Sequence, residues 1–339
     1  MPKGIAVAVL NWNGLSLLQR FIGKLVQDSQ PLGQVYIIDN DSSDESMAWI
    51  KANHPTVKLI QLDANYGYAG GYNRGMEQIE EELVVLINSD IESSPNWLEP
   101  IAKRFNADPS LGALQPKILD LKDRSKFEYA GAAGGYMDHL GYAFCRGRLF
   151  EDLEEDQGQY EDFQECFWAT GACLAVRSSA FNEVGGLYDT LFAHMEEIDL
   201  CWKMQLNDWK VAVEPASVVY HLGGATLESG SPRKTYLNFR NNLIILFLNL
   251  PPLESMRIIL SRLVLDGIAG IRFLSQGKIK FLWAILRAHF AFYGLFNQLY
   301  RERIKRKQKS LKDTKGVYHR ALIFDYFLKG KKKFSDLKF

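Results

Sequence analysis

The sequence predicts an α/β fold, a parallel sheet flanked by helices, with a helical C-terminal extension. Three observations carry that prediction. Short apolar runs alternate with helical patterns over the first hundred residues, which is the signature of strands joined by crossover helices. Three of those runs end abruptly in polar triplets. Beyond Pro251-Pro252 the alternation gives way to long stretches rich in Ile, Leu and Phe with Arg and Lys spaced between them.

The elements follow in order. "IAVAVL" at residues 5–10 reads as a strand, and Leu17, Leu18, Phe21, Ile22, Leu25 and Val26 follow at helical spacing. "VYIID" (35–39) and "VKLIQL" (57–62) are the second and third strands, and a helix from about Gly71 to Glu81 leads into a fourth at 83–88. Residues 110–176 are less regular, and the acidic "EDLEEDQGQYED" within them predicts an exposed loop. "CFWATGACLAV" reads as a strand, "SSAFNEVGG" as a short helix, and a second helix opens near Met195 with "EEIDLCWKM". "WKVAVEP" and "SVVYHLGG" read as two strands, the latter ending at His221, and the chain turns helical from about Pro232.

Composition narrows the class. The 339 residues are 47 % hydrophobic and 24 % charged, enough for one large domain with an appendage. The boundary falls near residue 245, with a helical, basic region over 246–339. Net charge is zero but uneven: residues 301–339 hold fourteen Lys/Arg against four Asp/Glu, while the first 240 hold 20 against 34. An acidic body with a basic tail suits a cation-using site in front and an anionic surface behind. The four cysteines show no CxxC pair and no zinc spacing, which reads as reduced core thiols and a cytoplasmic protein. No signal peptide is read at the N-terminus, and no run of eighteen apolar residues predicts a spanning helix.

In parallel sheets ligands bind at the carboxyl ends of strands. Asn11-Trp12-Asn13, Asp39-Asn40-Asp41 and Asn88-Ser89-Asp90 all fall there, so three polar strand ends on one edge make a site. "NSD" resembles the DxD motif of nucleotide-sugar glycosyltransferases in its Asn-x-Asp form. The chemistry explains the residue types. A departing nucleoside diphosphate needs its charge neutralised, and the Asp90 carboxylate on a rigid strand end can hold Mg²⁺ or Mn²⁺ against the phosphates. Asn88 can bond the ribose, and Ser89 is small enough to let the sugar pass.

"VLNWNG", "VYIIDNDSSDES", "NYGYAGGYNRG", "WATGACLAVRSSAFNEVGGLYDTLFAHMEEIDLCWKM" and "VVYHLGGAT" resemble, in order and spacing, bacterial family 2 glycosyltransferases, most nearly the rhamnosyltransferase-like branch. The resemblance covers roughly residues 4–245. It implies a GT-A fold, a Rossmann-like mixed sheet flanked by helices, with a nucleotide-sugar half over about 1–110 and an acceptor half over about 111–245. It also implies an inverting, metal-dependent transferase using a dTDP- or UDP-sugar donor. Asp39 is expected to accept from the nucleobase ring N–H, Asn11 and Asn13 to line base and ribose, and Asn65, Gly67, Gly70 and Asn73 to form a loop closing over the nucleoside. His221 is expected as a second metal ligand beside Asp90.

Glu196-Glu197 supply the base that takes the acceptor hydroxyl proton, with Glu197 the first choice. Relatives usually carry Glu-Asp-x-Asp-Leu here, and this chain has Glu-Glu-Ile-Asp-Leu. Arg240 matches diphosphate oxygens, while Trp168 and Gly171 are expected on the acceptor side. The acceptor expected is a glycan or lipid-linked glycan of a surface polysaccharide. The basic cluster Arg301, Arg303, Lys305, Arg306, Lys307 and Lys309 suits docking on an anionic lipid surface at the inner face of the cell membrane, the alternative being a helical cap or a homodimer contact. Nucleic acid is a poorer account of the charge, since no recognised module accompanies it. A sugar nucleotidyltransferase and a catalytically inactive glycan- or nucleotide-binding pseudoenzyme are the alternatives; "LNWNGLSLL" lacks the Gly-rich, Arg-containing loop of the former.

Overall fold

Alternation within the first apolar run decides which face of the sheet each side chain meets. In the computed structural model, which describes residues 4–223 and 231–339, β1 (Ile5–Asn11) sends Ile5, Val7 and Val9 to one core and Ala6 and Ala8 to the other. The larger side chains share their core with α1 (Leu15–Ser29), which buries Leu18, Phe21, Ile22 and Leu25. β2 (Gly33–Asp39), α2 (Ser46–Asn53) and β3 (Lys58–Gln61) extend the parallel sheet from one side of β1.

The small Ala6 and Ala8 leave room for α3 (Gly67–Met76), which begins four residues before the predicted Gly71 and ends before Glu81. "GYAGGYNRG" is therefore helix, and the expected nucleoside loop contracts to residues 63–66 before it. The glycines have a packing reason: a Cβ on Gly75 would stand 2.2 Å from Ile38 Cδ1, so only a bare helix face can lie this close to the sheet. Tyr72 anchors that helix, its hydroxyl donating to the Ile87 carbonyl at 3.0 Å.

β4 (Leu83–Ile87) pairs parallel with β1 on its other side, and β5 (Ile91–Ser93) and α4 (Leu98–Ala107) lead to β6 (Leu111–Asp120). Residues 110–176, which read as irregular, hold a second sheet. Its antiparallel strands are β7 (Gly135–Asp138), β8 (Ala143–Cys145), β9 (Arg148–Leu149) and β10 (Asp152–Leu153). These strands are two to four residues long, below the length at which alternation is visible in sequence. The chain then returns to the main sheet through β11 (Gln164–Glu165) and β12 (Cys173–Arg177), so most of "CFWATGACLAV" is not strand. β12 runs antiparallel between β4 and β6. After α5 (Ser178–Glu183) and α6 (Glu196–Leu206), the two predicted strands merge into one, β13 (Lys210–His221), with an irregularity between Glu214 and Val218. The sheet order is β11-β13-β6-β12-β4-β1-β2-β3, with β5 on β13.

The helical region comprises α7 (Pro232–Asn249), α8 (Pro252–Ser275), α9 (Ile279–Gly294) and α10 (Phe296–Arg303). No single described helix is long and apolar enough to cross a membrane; α9 and α10 pass that test only together, across a 59° bend. The last residues return to the body: β14 (Val317–Tyr318) pairs parallel with β7, and α11 (Leu322–Phe327) follows. Leu322 N–H donates to Asp138 at 2.8 Å and Phe334 N–H to Glu154 at 2.9 Å. "EDLEEDQGQYED" is mostly exposed and irregular, as expected, but it is pinned at a few points. Glu154 and Tyr160 are buried and bonded to each other, and Asp156 meets Lys117 at 2.7 Å.

The basic cluster is likewise split. Arg301, Lys305, Lys307 and Lys309 are exposed, but Arg303 and Arg306 turn inward. Arg303 donates to the Leu250 carbonyl at 2.6 Å, and Arg306 reaches the fully buried Asp199 of α6 at 2.7 Å. Asn249 donates to the same carboxylate oxygen at 2.7 Å. Burial alone would raise the Asp199 pKa, but Arg306 and Lys203 outweigh it and hold it below the usual carboxylate range.

Arg306→Ala should therefore cost about 3–5 kcal/mol in urea unfolding, the scale for stranding a buried charge. Because the folded pKa of Asp199 is depressed, the stability it supplies is present above the unfolded value of 3.8 and lost as pH falls through the folded one. The wild-type advantage over Arg306→Ala should accordingly shrink in acid; a loss below about 1 kcal/mol at neutral pH would mean Asp199 is satisfied without Arg306.

Candidate active site

The polar strand ends gather on one edge, as the register requires. Asn11 stands opposite Asp39 across the β1–β2 ladder, and its amide donates to Asp39 Oδ1 at 3.2 Å, Ser42 Oγ at 3.1 Å and Ser46 Oγ at 3.0 Å. Asp39 is 3 % exposed, and its other oxygen accepts from Ser42 N–H at 3.3 Å. Asn13, in the left-handed region at φ 50°, accepts from the backbone N–H groups of Ser43 at 2.8 Å and Asp44 at 3.2 Å. Asn11 and Asn13 thus knit the "DNDSSDES" segment to the first strand end.

Asn40, placed on this edge by the sequence but given no role of its own, shapes the next turn. Its amide donates to Asn65 Oδ1 and to the Gly67 carbonyl, and its oxygen accepts from Tyr66 N–H. Gly67 sits at φ +70° with no space beside it: a Cβ there would lie 2.7 Å from the Phe192 ring. Gly70 and Asn73 lie further along α3, and the Asn73 amide is engaged by the Leu187 carbonyl at 2.8 Å and Asp189 at 2.6 Å. Asn73 therefore ties α3 to the loop before the acidic pair, in place of the nucleoside loop expected.

The metal candidates do meet. β5 pairs with β13 so that Ile91 stands opposite His221, which brings Asp90 Oδ1 to 3.1 Å from His221 Nε2. On the other side of the ring, Nδ1 is 3.2 Å from Glu128, a residue for which the sequence offered no signal. Burial lowers the His221 pKa, but the hydrogen bonds to Asp90 and Glu128 outweigh it and raise the pKa to about 10. Among the described residues no group of three or more His, Cys, Asp or Glu side chains is arranged to hold an ion by itself. Gly224, Ala225 and Thr226 of the "VVYHLGGAT" motif lie outside the described residues.

Asn88 and Ser89 end β4 half-buried, and Asn88 N–H donates to the Ala172 carbonyl at 2.9 Å. That bond joins the Asp90 turn to the "TGA" segment. Tyr68 holds the neighbouring Gly171 carbonyl at 2.6 Å, and a Cβ on Gly171 would lie 3.6 Å from Glu197 Cβ. Gly171 thus borders the acidic pair. Trp168 does not: it is 4 % exposed, lies against Gly135 and donates its indole N–H to the Tyr136 carbonyl at 3.0 Å. It is a core residue linking the two sheets, a correction to its expected place against a sugar.

Glu196 and Glu197 open α6. The loop before them is strained, with Phe192, His194 and Met195 at φ 64°, 67° and 72°, a conformation that side chains other than glycine adopt at a cost of about 1–3 kcal/mol each. The Asn241 amide holds it from α7, donating to the carbonyls of Leu191 at 2.9 Å, Ala193 at 2.9 Å and His194 at 2.7 Å. Arg240 supports the same loop through the Thr190 and Leu191 carbonyls, both at 3.1 Å. The visible signal for Asn241 was "FRNN", a polar step inside an apolar helix. Burial raises the Glu197 pKa to about 7. Burial and then the neighbouring Glu197 push Glu196 well above the ordinary carboxylate value.

Comparison with known proteins matches residues 6–185 to Glycosyl transferase family 2. A relative from Mycobacterium tuberculosis, described as N-acetylglucosaminyl-diphospho-decaprenol L-rhamnosyltransferase, is 28 % identical over 243 residues, 67 % of this chain and 78 % of that protein. The poly-beta-1,6-N-acetyl-D-glucosamine synthase of Staphylococcus epidermidis is 24 % identical over 66 % of this chain and 51 % of its own length. Among solved structures, GalNAc-T7 with UDP, GalNAc and Mn²⁺ superposes with TM-score 0.57 at 16 % identity, covering 74 % of this chain but only 48 % of that one. A mannosyltransferase from Pyrobaculum calidifontis with GDP-Man and Mn²⁺ gives 0.53 at 12 % identity, over 86 % and 87 %. With more than half its length matched by the family and its sheet shared with these structures, the chain belongs to glycosyl transferase family 2 and is a glycosyltransferase of GT-A fold.

Proposed function

We propose that this enzyme is an inverting, metal-dependent transferase moving a sugar from a dTDP- or UDP-linked donor to a hydroxyl of a lipid-linked glycan. The observation that carries the reading is a continuous line of contacts. Asp90 meets His221, Asn88 at the same turn meets Ala172, and the adjoining Gly171 borders Glu197. A cation-binding pair and a base candidate thus belong to one set of strand and helix ends. The nucleoside would lie over Asn11, Asn13 and Asp39 beside the Asn65 turn, where each Asp39 oxygen keeps a lone pair for a base N–H.

The donor set fits a hard divalent ion. One carboxylate and one imidazole converge at Asp90 and His221, the ring becoming a ligand once an ion displaces its proton, and Mg²⁺ or Mn²⁺ ordinarily fills its remaining positions with water and substrate phosphates. Such an ion, when bound, neutralises charge on the departing diphosphate. Glu197 takes the proton of the acceptor hydroxyl as its oxygen attacks the anomeric carbon. A carboxylate near pKa 7 is well matched to that task, ionised often enough to act and basic enough to pull.

The acceptor reading draws on the printed name of the mycobacterial relative and on the helical region. α8 exposes Leu260, Val264, Ile268 and Ile271, and α9 exposes Ile279, Trp283 and Phe290, with Phe290 71 % accessible. Lys278, Lys280 and Arg287 stand among them. An apolar face rimmed by cations suits the interface of an anionic bilayer, which supports a reading of the enzyme at the inner face of the cell membrane in surface polysaccharide synthesis.

Thermal melts with UDP or dTDP should shift upward with Mn²⁺, and Asp90→Asn should lose most of that shift, measured against its own unliganded melt. Equal shifts with and without the ion would remove Asp90 from a metal role. Turnover should rise with pH through about 7, because the base acts only when deprotonated. Glu197→Gln should lower kcat about 10²-fold or more while binding nucleotide normally. If Glu196→Gln is the dead variant instead, the base is Glu196. Val264→Glu with Ile271→Glu should reduce sedimentation with phosphatidylglycerol vesicles; unchanged sedimentation would separate this face from the membrane.

A further inference from the structure

Between α7 and α9 lies a cavity of about 600 Å³, of the size that takes a small ligand. α7 contributes Arg233, Tyr236, Leu237 and Arg240, spaced i, i+3, i+4 and i+7, so one helix face lines it. α9 answers with Lys280, Trp283, Ala284 and Arg287 at the same spacing. Each stripe starts and ends in a cation with an aromatic between. Arg240 and Arg287 approach the Tyr236 ring from the two helices, at 5.4 Å and 5.5 Å from its centroid, and Arg233 lies 5.9 Å from Phe192. Among the described residues, none of these four cations is ion-paired with a carboxylate; Arg262 and Arg306, by contrast, are. Four positive charges around one cavity, three of them held by aromatic faces, fit a ligand carrying more than one negative charge.

Two neighbours say which. Phe192 lines the cavity and also crowds Gly67, at the head of the strained loop that leads to Glu196 and Glu197. The cavity is therefore one loop removed from the acidic pair. On the other side, Trp283 is shared with an exposed apolar stripe of α9, Ile279, Trp283, Leu286 and Phe290. An anion in this cavity can carry a hydrocarbon chain that leaves along the stripe.

We infer that the α7–α9 cavity binds the diphosphate of a polyprenyl-diphosphate-linked acceptor, with Arg233, Lys280 and Arg287 on the phosphates and the chain running along the exposed face of α9. The inference rests on the lipid-linked acceptor reading and gives that acceptor a site. It separates acceptor diphosphate from donor diphosphate, the latter belonging to the Asp90 turn. Arg240, expected from sequence at the donor phosphates, lines this cavity.

The test is calorimetric titration of the full chain with farnesyl diphosphate in EDTA, so that a metal at Asp90 contributes nothing. Binding should be displaced by inorganic pyrophosphate and absent with farnesol. Arg233→Gln with Arg287→Gln, both at exposed positions, should weaken it about tenfold or more, the effect of losing charged hydrogen bonds. The same double variant should keep the wild-type thermal shift with UDP or dTDP and Mn²⁺. Farnesyl diphosphate binding unaffected by the double variant overturns the assignment. A parallel loss of the nucleotide shift does so too, giving the cavity to the donor. Displacement by soluble glycerol phosphate as effective as by pyrophosphate makes it a headgroup site and equally overturns it. If neither protein shows a nucleotide shift while farnesyl diphosphate binds as described, the donor reading fails and the cavity assignment stands.

Discussion

A single buried carboxylate, Asp199, sets how the catalytic body and the helical region meet. It lies one turn into α6, three residues from Glu196, and has no solvent access. A charge in that position demands partners, because desolvation without them costs several kcal/mol. They come from far along the chain: Asn249 at the end of α7 and Arg306 beyond α10, with Lys203 at 4.0 Å on its own helix. Burial lowers Lys203 to about pKa 8, so Arg306 is the dependable countercharge. The helix bearing the acidic pair is thus fixed at its first turn by the region that sequence reading set apart as an extension.

α7, which straddles the expected boundary near 245, disciplines the loop in front of that helix. Three left-handed residues in four would not persist unless their surroundings held them, and the Asn241 amide and the Arg240 guanidinium supply that hold through four carbonyls. α7 consequently has two jobs, and Arg240 shares in both. Asn241 and Arg240 steady the backbone in front of Glu197, and the stripe from Arg233 to Arg240 lines the cationic cavity. A shift of α7 on engaging a ligand there would be felt at the acidic pair through Asn241, since both depend on the same helix.

The polar strand ends were legible because β-strand register is simple: parallel neighbours that break into Asn and Asp at matching positions deliver them to one edge. The Asp90–His221 pairing also followed the expected strand ends. Other features were hidden for identifiable reasons. Gly67 and Gly70 were expected in a loop, yet both lie in α3, whose Gly71 and Gly75 thin its face against Leu10 and Ile38, a use that depends on the neighbour and not on the glycine. Trp168 looked like a sugar platform because composition cannot tell an indole packed on Gly135 from one facing solvent. Glu128 reaches His221 from a segment with no periodic pattern, and Arg303 and Arg306 sit in a run of like charges whose inward members differ from the outward ones only by tertiary context.

The return of the last residues to the second sheet has a consequence for how the protein is made. β14 supplies an edge to β7, and Leu322 and Phe334 bond Asp138 and Glu154, across sequence separations of about 180 residues. Contacts so distant close late, after the entropy of a very long loop has been met. On a ribosome the chain emerges from its N-terminus, so the parallel strands can assemble early while the second sheet lacks its edge and Asp199 lacks Arg306. The apolar α8–α9 pair is synthesised within that interval, before the segment that completes the body. Nascent chains therefore pass through a stage in which the greasy hairpin is out and the catalytic half is unfinished, and what meets the hairpin then, bilayer or chaperone, decides the yield of folded enzyme.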